Sequence, residues 1–358
     1  MSRIIGHLDM DAFFAAIEER DTPRFQGLPI VVGADPRGGA GRGVVSTANY
    51  RARAYGIHSA MPITIAWRLS QAAVRRGDPA AIFLPGNYHR YEDISRRIMA
   101  LLRAAVPLVQ QRSVDEAYFD LSHTGSVQRA VALCRRLKEE IRQQERLTAS
   151  VGVGPNKLIA KIASDLQKPD GFTVVEEKDA EAFLAPLPIR KVPGVGPKTE
   201  AFFHANGVHL VRDARAYSRS DLETLLGKWG LDLYEKLWGR DTSPVHEAYT
   251  AKSVGTQETF NVDTLDSRII GEHLSTLCAR VLRRLEAEGF HRFRTVVLTV
   301  RFANFRTVSR ASTSTPSLHT LQELHQQALR LLLPFFDARE NPRREPLRLI
   351  GVRVEKLE

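Results

Sequence analysis

Short apolar runs bounded by glycine or proline alternate with amphipathic helical segments along the first 175 residues. That alternation restricts the chain to a mixed α and β architecture. Ile4-Ile5-Gly6-His7-Leu8-Asp9 reads as a first strand, and Phe13, Phe14 and Ile17 are spaced for one face of the helix after it. Residues 29–32, 43–45 and 81–84 read as further strands, and 108–113 and 117–121 as two more around a polar break at Asp115-Glu116. Val127, Val131, Cys134, Leu137 and Ile141 mark an amphipathic helix, 149–153 a strand, and 156–166 a helix carrying Lys157 and Lys161. A helical unit begins near Glu176. Residues 242–251 are polar and aperiodic and read as a linker. Beyond them, strands at 253–260, 295–302, 306–311 and 347–354 and helices through 270–285 and 318–331 follow the order β-α-β-β-α-β, the split βαβ arrangement. At about 150 residues per domain, 358 residues predict two to three domains.

Three carboxylates break this pattern where a core strand should stay apolar. Asp9 ends the first strand, and Asp115 and Glu116 interrupt the later pair. Neighbouring side chains of a regular strand point to opposite faces, so both of the latter reach one site only from a turn between strands. Ser113-Val114-Asp115-Glu116-Ala117-Tyr118 allows that turn. Gathered at strand ends, three acids form a hard-oxygen site suited to Mg²⁺ and substrate phosphates. Two such ions about 4 Å apart activate an attacking hydroxyl and stabilise a leaving pyrophosphate. The plainer alternative makes Asp9 a turn residue and Asp115-Glu116 a solvated hairpin tip. Asp11 falls at the next helix start, where capping accounts for it.

Charge points to a polyanionic partner. Lys+Arg exceed Asp+Glu by 51 to 41, and the sequence pI is near 9.8. Eight arginines lie between 280 and 310 against Glu286 and Glu288. Val192-Pro-Gly-Val-Gly-Pro-Lys-Thr199 has the form of a helix-hairpin-helix turn: Gly194 and Gly196 permit the turn, Pro197 suits a first helical position, and exposed N–H groups beside Lys198 can meet a phosphate. Two cysteines far apart, Cys134 and Cys278, argue against a disulfide scaffold or zinc site and fit a reducing, cytoplasmic setting. The opening residues lack the apolar core of a signal peptide, and no segment is apolar over a membrane's width.

Leu8-Asp-Met-Asp-Ala-Phe-Phe-Ala15, Val45-Ser-Thr-Ala-Asn-Tyr-Arg-Ala-Arg53, the segment from Ser113 to Tyr118, Ser150-Val-Gly-Val-Gly-Pro-Asn-Lys157, Ile159-Ala-Lys-Ile-Ala-Ser-Asp165, Lys168-Pro-Asp-Gly171 and Lys252-Ser-Val-Gly255 together resemble the Y-family translesion DNA polymerases, closest to the bacterial polymerase IV (DinB) branch. The resemblance runs from Ile4 to about Val354. It implies an α+β multidomain right hand: palm at 1–12 and 86–175, small fingers at 13–85, helical thumb with the helix-hairpin-helix at 176–241, linker at 242–251, and a βαββαβ little finger at 252–358. It implies template-directed, error-prone addition of deoxynucleotides to a primer 3′ end, with no segment left for proofreading.

The same resemblance assigns roles. Asp9 and Asp115 would ligate two Mg²⁺ ions, Mn²⁺ being able to substitute, with the Met10 carbonyl assisting and Glu116 as third acid near the primer hydroxyl, as base or ligand. Tyr50, Arg53 and Lys168 would grip the triphosphate, Thr47 and the backbone at Phe13 completing the cradle. Phe14 takes the steric-gate position beneath the sugar. Gly194, Gly196, Lys198, Arg292, Arg294, Arg301 and Arg306 would meet DNA backbone. Partners are then primer–template DNA and dNTPs, with the protein a monomer away from membranes. A sliding clamp is a further partner, although no clamp-docking tail follows the last strand. A non-catalytic DNA-binding scaffold and a two-metal nuclease are the competing classes.

Overall fold

The apolar N-terminal run forms β1 (Ile5–Met10), buried at every position. In the computed structural model, which describes residues 3–247 and 250–358, the chain divides into two compact units, Met1–Ala248 and Tyr249–Glu358. After β1 come α1 (Phe13–Asp21), β2 (Ile30–Gly33), β3 (Val45–Ala48), α2 (Tyr50–Arg53), α3 (Ile63–Arg75), β4 (Ile82–Leu84), α4 (Tyr88–Ala105), β5 (Val109–Gln111), β6 (Glu116–Asp120), α5 (Val127–Glu145), β7 (Ala149–Gly154), α6 (Lys157–Leu166) and β8 (Phe172–Val174). The helical stretch holds α7 (Ala180–Leu184), α8 (Pro197–Ala205), α9 (Val211–Ala214), α10 (Arg219–Leu226) and α11 (Lys228–Leu237). The second unit holds β9 (Ser253–Thr264), α12 (Ser267–Ala287), β10 (Phe293–Phe302), β11 (Thr307–Leu318), α13 (Leu321–Leu332) and β12 (Leu347–Leu357).

A five-stranded sheet of order β5-β6-β1-β7-β8 is the framework of the first unit. Its central β1 runs antiparallel to both β6 and β7. Helices α4 and α5 bury Ile94, Ile98, Leu102, Cys134, Leu137 and Ile141 against it; α6 approaches β7 where Gly152 faces Ala160, Ala163 and Ser164, while its Leu158, Ile159 and Ile162 join the core of the helical stretch. Gly6 is forced by this packing, since a Cβ there would stand 2.2 Å from the Phe119 ring. A smaller sheet, β3-β2-β4, carries its own core of Val31, Val45, Ala48, Ile57 and Ile63. The strand expected at 43–45 lies at Val45–Ala48, because Val44 instead makes an isolated bridge to Pro62.

The residues after α11 are less free than their composition suggests. Arg3 donates to the carbonyls of Thr242 and Ser243, and Lys157 to that of Pro244. Val245, 5% exposed, packs with Ile5, Tyr118 and Ala160. The start of the expected linker is therefore anchored on the first unit; its residues 248–249 lie outside the described residues.

The second unit is a four-stranded antiparallel sheet, β11-β10-β12-β9. Ile270, Leu274, Leu277, Val281 and Leu285 of α12 and Leu324, Ala328 and Leu332 of α13 cover one face, meeting Val296, Leu298 and Val300 of β10. The element order β-α-β-β-α-β is as expected, with β9 and β11 longer. The helix expected from 318 begins at Leu321: Leu318 is the last residue of β11, and Thr320 caps α13 by accepting from the Glu323 N–H while Glu323 reaches back. The apolar period had run on through a buried strand end.

Candidate active site

Strand pairing brings the acids together. Asp9 on β1 sits directly opposite Glu116 on β6, so the two side chains share a face. One residue on, the Met10 N–H donates to the Asp115 carbonyl at 3.0 Å. Ser113 shapes the turn between β5 and β6: its Oγ accepts from the N–H groups of Asp115 (3.3 Å) and Glu116 (3.0 Å) and donates to Asp115 Oδ1 (2.6 Å). Asp115 thus stands in the turn and Glu116 opens the strand, the disposition that lets neighbouring acids address one end of the sheet.

Two lysines meet these carboxylates. Lys168 Nζ lies 2.6 Å from Asp9 Oδ1 and 3.3 Å from Asp165, and Lys161 Nζ lies 2.8 Å from Glu116 Oε1. Asp9 is only 6% exposed, and burial pushes its carboxyl up to about 7, Glu116 reinforcing the shift and Lys168 opposing it. Burial pushes Glu116 the same way, but hydrogen bonds with Asp9 and Lys161 outweigh it and hold Glu116 at about 2. Asp115 is raised, again by burial, against the bond from Ser113. Burial and the neighbouring carboxylate act together on Asp9, while the Lys161 ammonium favours the ionised form of Glu116. Among the described residues no group of three or more His, Cys, Asp or Glu is arranged to hold a metal ion, and ammonium groups stand at Asp9 and Glu116 instead.

The expected phosphate-grip residues lie alongside. Asn49 caps α2, accepting from the Ala52 N–H at 3.0 Å, and its buried side chain also bonds the Ile30 N–H and the Leu28 carbonyl. This fixes Tyr50 and Arg53, whose guanidinium carbon stands 4.7 Å from the Tyr50 ring centre. Tyr50 OH donates to Asp11 Oδ1 at 3.4 Å, and burial, then the Asp11 charge, pushes the phenol up to about 12. Asp11 does not cap α1, whose N-cap is Ala12 in a left-handed conformation (φ 47°) with no side-chain bond. Its carboxylate instead accepts from Ser150 Oγ (2.8 Å) and the Asp170 N–H (2.7 Å), which ties down the loop that presents Lys168. Thr47 lies on β3 opposite Val32, and Phe13 is buried at the start of α1. The half-buried Phe14 ring stacks on Tyr91 at 4.3 Å and 13°, and Tyr91 OH donates to Glu18 at 2.5 Å.

Lys161, Asp165, Asp11 and Tyr91 were not among the expected site residues. For two of them a signal existed: Lys161, Asp165 and Lys168 recur at four- and three-residue steps, one side of a helix.

The expected DNA contacts fall in separate places. Gly194 has φ 103°, a left-handed value suited to glycine, and Gly196 caps α8 with Pro197 first in the helix; Gly194 and Lys198 are exposed. In the second unit Arg301 projects from the sheet face opposite the helices, paired to Thr307 Oγ1 at 2.9 Å. Arg353, in register with Val297, shares that face and was not anticipated. Arg294 bonds Thr315, Arg292 is exposed just before β10, and Arg306 covers the Phe302 ring at 4.0 Å.

The impB/mucB/samB family matches residues 8–165, its C-terminal domain residues 251–358, and the IMS family HHH motif residues 177–208. The chain is 41% identical over 357 residues to DNA polymerase IV of Methanoculleus marisnigri, spanning 100% of this chain and 95% of that protein. It is 40% identical over 358 residues to DNA polymerase IV of Streptococcus mutans, spanning 100% and 93%. Among solved structures, the Y-family DNA polymerase chimera Dbh-Dpo4(243-245)-Dbh matches with a TM-score of 0.87 at 28% identity over 99% of both chains. An insertion ternary complex of Dbh DNA polymerase matches at 0.67, also at 28% over 99% of both. With family models across both units and relatives matched from end to end, the chain belongs to the impB/mucB/samB family of Y-family DNA polymerases.

Proposed function

We infer that the acids at the end of β1 and β6 serve nucleotidyl transfer to a primer 3′ hydroxyl under template direction. The chain is a DNA-directed DNA polymerase of the translesion kind. The observation that carries the site is the pairing of Asp9 with Glu116 and of Met10 with Asp115, next to Tyr50, Arg53 and Lys168.

Asp9, Asp115 and Glu116, with the Met10 carbonyl, would hold two Mg²⁺ ions, or Mn²⁺ in their place. The all-oxygen donor set and the elevated Asp9 and Asp115 carboxyls fit such cations. When bound, the ions supply Lewis-acid activation of the hydroxyl and neutralise charge on the departing pyrophosphate. Lys168 and Arg53 hold phosphate oxygens, Tyr50 donates its hydroxyl, and Thr47 and the Phe13 backbone complete the cradle. Phe14, its ring braced on Tyr91, lies under the sugar and rejects a 2′ hydroxyl. Gly194, Gly196 and Lys198 meet backbone phosphate, and Arg292, Arg294, Arg301 and Arg306 present the second unit to the duplex.

In this reading 1–12 and 86–175 form the palm, 13–85 the fingers, 176–241 the thumb and 252–358 the little finger, in a monomer working in the cytoplasm and able to meet a sliding clamp. Among the described residues no helix is long and apolar enough to cross a membrane. Primer–template, Mg²⁺ and one dNTP form the test. Primer extension supports polymerisation, shortening would make the protein a nuclease, and binding without either would make it a scaffold.

A further inference from the structure

Lys161 stands beside the acid cluster, and the polymerase reading gives it no task. It projects from α6 at 25% exposure and donates to Glu116 Oε1 at 2.8 Å. Its place is built from below. His7 on β1, wholly buried, has Nδ1 at 2.8 Å from Ser164 Oγ, and Ser164 spends its own proton on the Lys161 carbonyl at 2.8 Å. Ser164 must therefore accept from His7, which makes Nδ1 the protonated nitrogen and pins the α6 turn bearing Lys161 to the strand bearing Asp9. Lys168, by contrast, leans on Asp9 from the loop after α6 and is free to transfer to an arriving phosphate. The Lys161 ammonium pairs with Glu116, and Leu158 and Ile162 of the same helix are buried beside it.

We propose that Lys161 is a positioning residue: it holds one oxygen of Glu116, leaves the other to face the reaction, and subtracts one negative charge from the cation site. The inference rests on the polymerase reading of that site. Two consequences of opposite sign follow. Without the ammonium the three acids attract a divalent ion more strongly, since a like-signed neighbour has gone. Glu116 also gains freedom to turn, which a reaction dependent on positioned charge does not tolerate.

The test counts free Mn²⁺ by its magnetic resonance signal during titration into the full-length protein, for the parent, K161M, K161R and the pair E116Q and K161M/E116Q, alongside single-nucleotide insertion. Expected for K161M are Mn²⁺ binding about three- to tenfold tighter, kcat down about tenfold, and an unchanged KM for dNTP. K161R should restore both, and in the E116Q background K161M should still tighten Mn²⁺ binding but lower kcat little further. Weaker or unchanged Mn²⁺ binding by K161M overturns the proposal, as does an equal loss of kcat in E116Q. If K161M does not fold by thermal melting, K161R decides: a parent-like affinity and kcat support the proposal, and loss of either overturns it. Failure of the parent protein to extend a primer would instead remove the polymerase reading.

Discussion

At the scale of single residues, the acids were legible because a carboxylate inside an apolar run violates burial and so advertises a partner. D115A should lower primer extension at least about 10³-fold while leaving primer–template affinity within about twofold, read by anisotropy. Parent-like extension would remove Asp115 from the chemistry. F14A should raise ribonucleotide relative to deoxynucleotide insertion by about tenfold or more, because the gate acts by collision rather than attraction. Unchanged sugar selection would reduce Phe14 to a packing residue. The lysine partners were less legible. Lys161 lies 45 positions from Glu116, and whether a helical lysine faces solvent or acid depends on which strand the helix crosses. Asp11 was misread for the opposite reason: position at a helix start suggested a cap, whereas the left-handed Ala12 turns the chain so that Asp11 points across β7 to Ser150 and Asp170.

At the scale of elements, two junctions can be tested. Asn49 joins α2 to β2 and lies beneath the phosphate-grip residues, so N49A should cost about 2 kcal/mol of stability and raise the KM for dNTP more than it lowers kcat. Chemical denaturation and insertion kinetics read the two effects. Glu145 ends α5 and ties α1 to α4: Arg97 donates at 2.5 and 2.8 Å, and Arg20 at 3.3 Å. The Arg97 bond, then its charge, holds the Glu145 carboxyl below its ordinary range. A folded-state pKa below the unfolded one stabilises the protein above the unfolded value, near 4.5, and that stability is lost as pH falls past it. E145Q should therefore cost about 2 kcal/mol at pH 7 and flatten the decline in stability between about pH 5 and 3. A parallel acid limb in parent and variant would contradict the linkage. Periodicity exposed the cores of helices α5 and α12, since one buried stripe repeats through several turns, but stopped short of their ends at Glu145, Ser267 and Ala287. It could not locate β3 or the start of α13, where the boundary is set by Val44 bridging Pro62 and by the cap at Thr320.

At the scale of the whole molecule, the formal charge of +10 and the arginines of the second unit predict strong salt dependence. If six to ten phosphates are neutralised, affinity for primer–template should fall about 10³–10⁵-fold between 50 and 200 mM salt, and a flat response would dismiss the electrostatic footprint. The second unit was readable in outline because α12, β10, α13 and β12 each contribute an apolar stripe to one core. The small sheet of the first unit was not: β2 pairs antiparallel with β3 yet parallel with β4, and no local pattern encodes which distant strand completes a ladder. The β10–β11 face away from the helices carries Thr295 against Thr313 at 2.8 Å and Thr299 against Ser309 at 3.0 Å. Each such hydroxyl swivels to give or to take a proton. If that face meets the duplex, hydroxyls that swivel in this way take purine and pyrimidine steps alike, and affinity should not change when the base sequence of the primer–template is permuted.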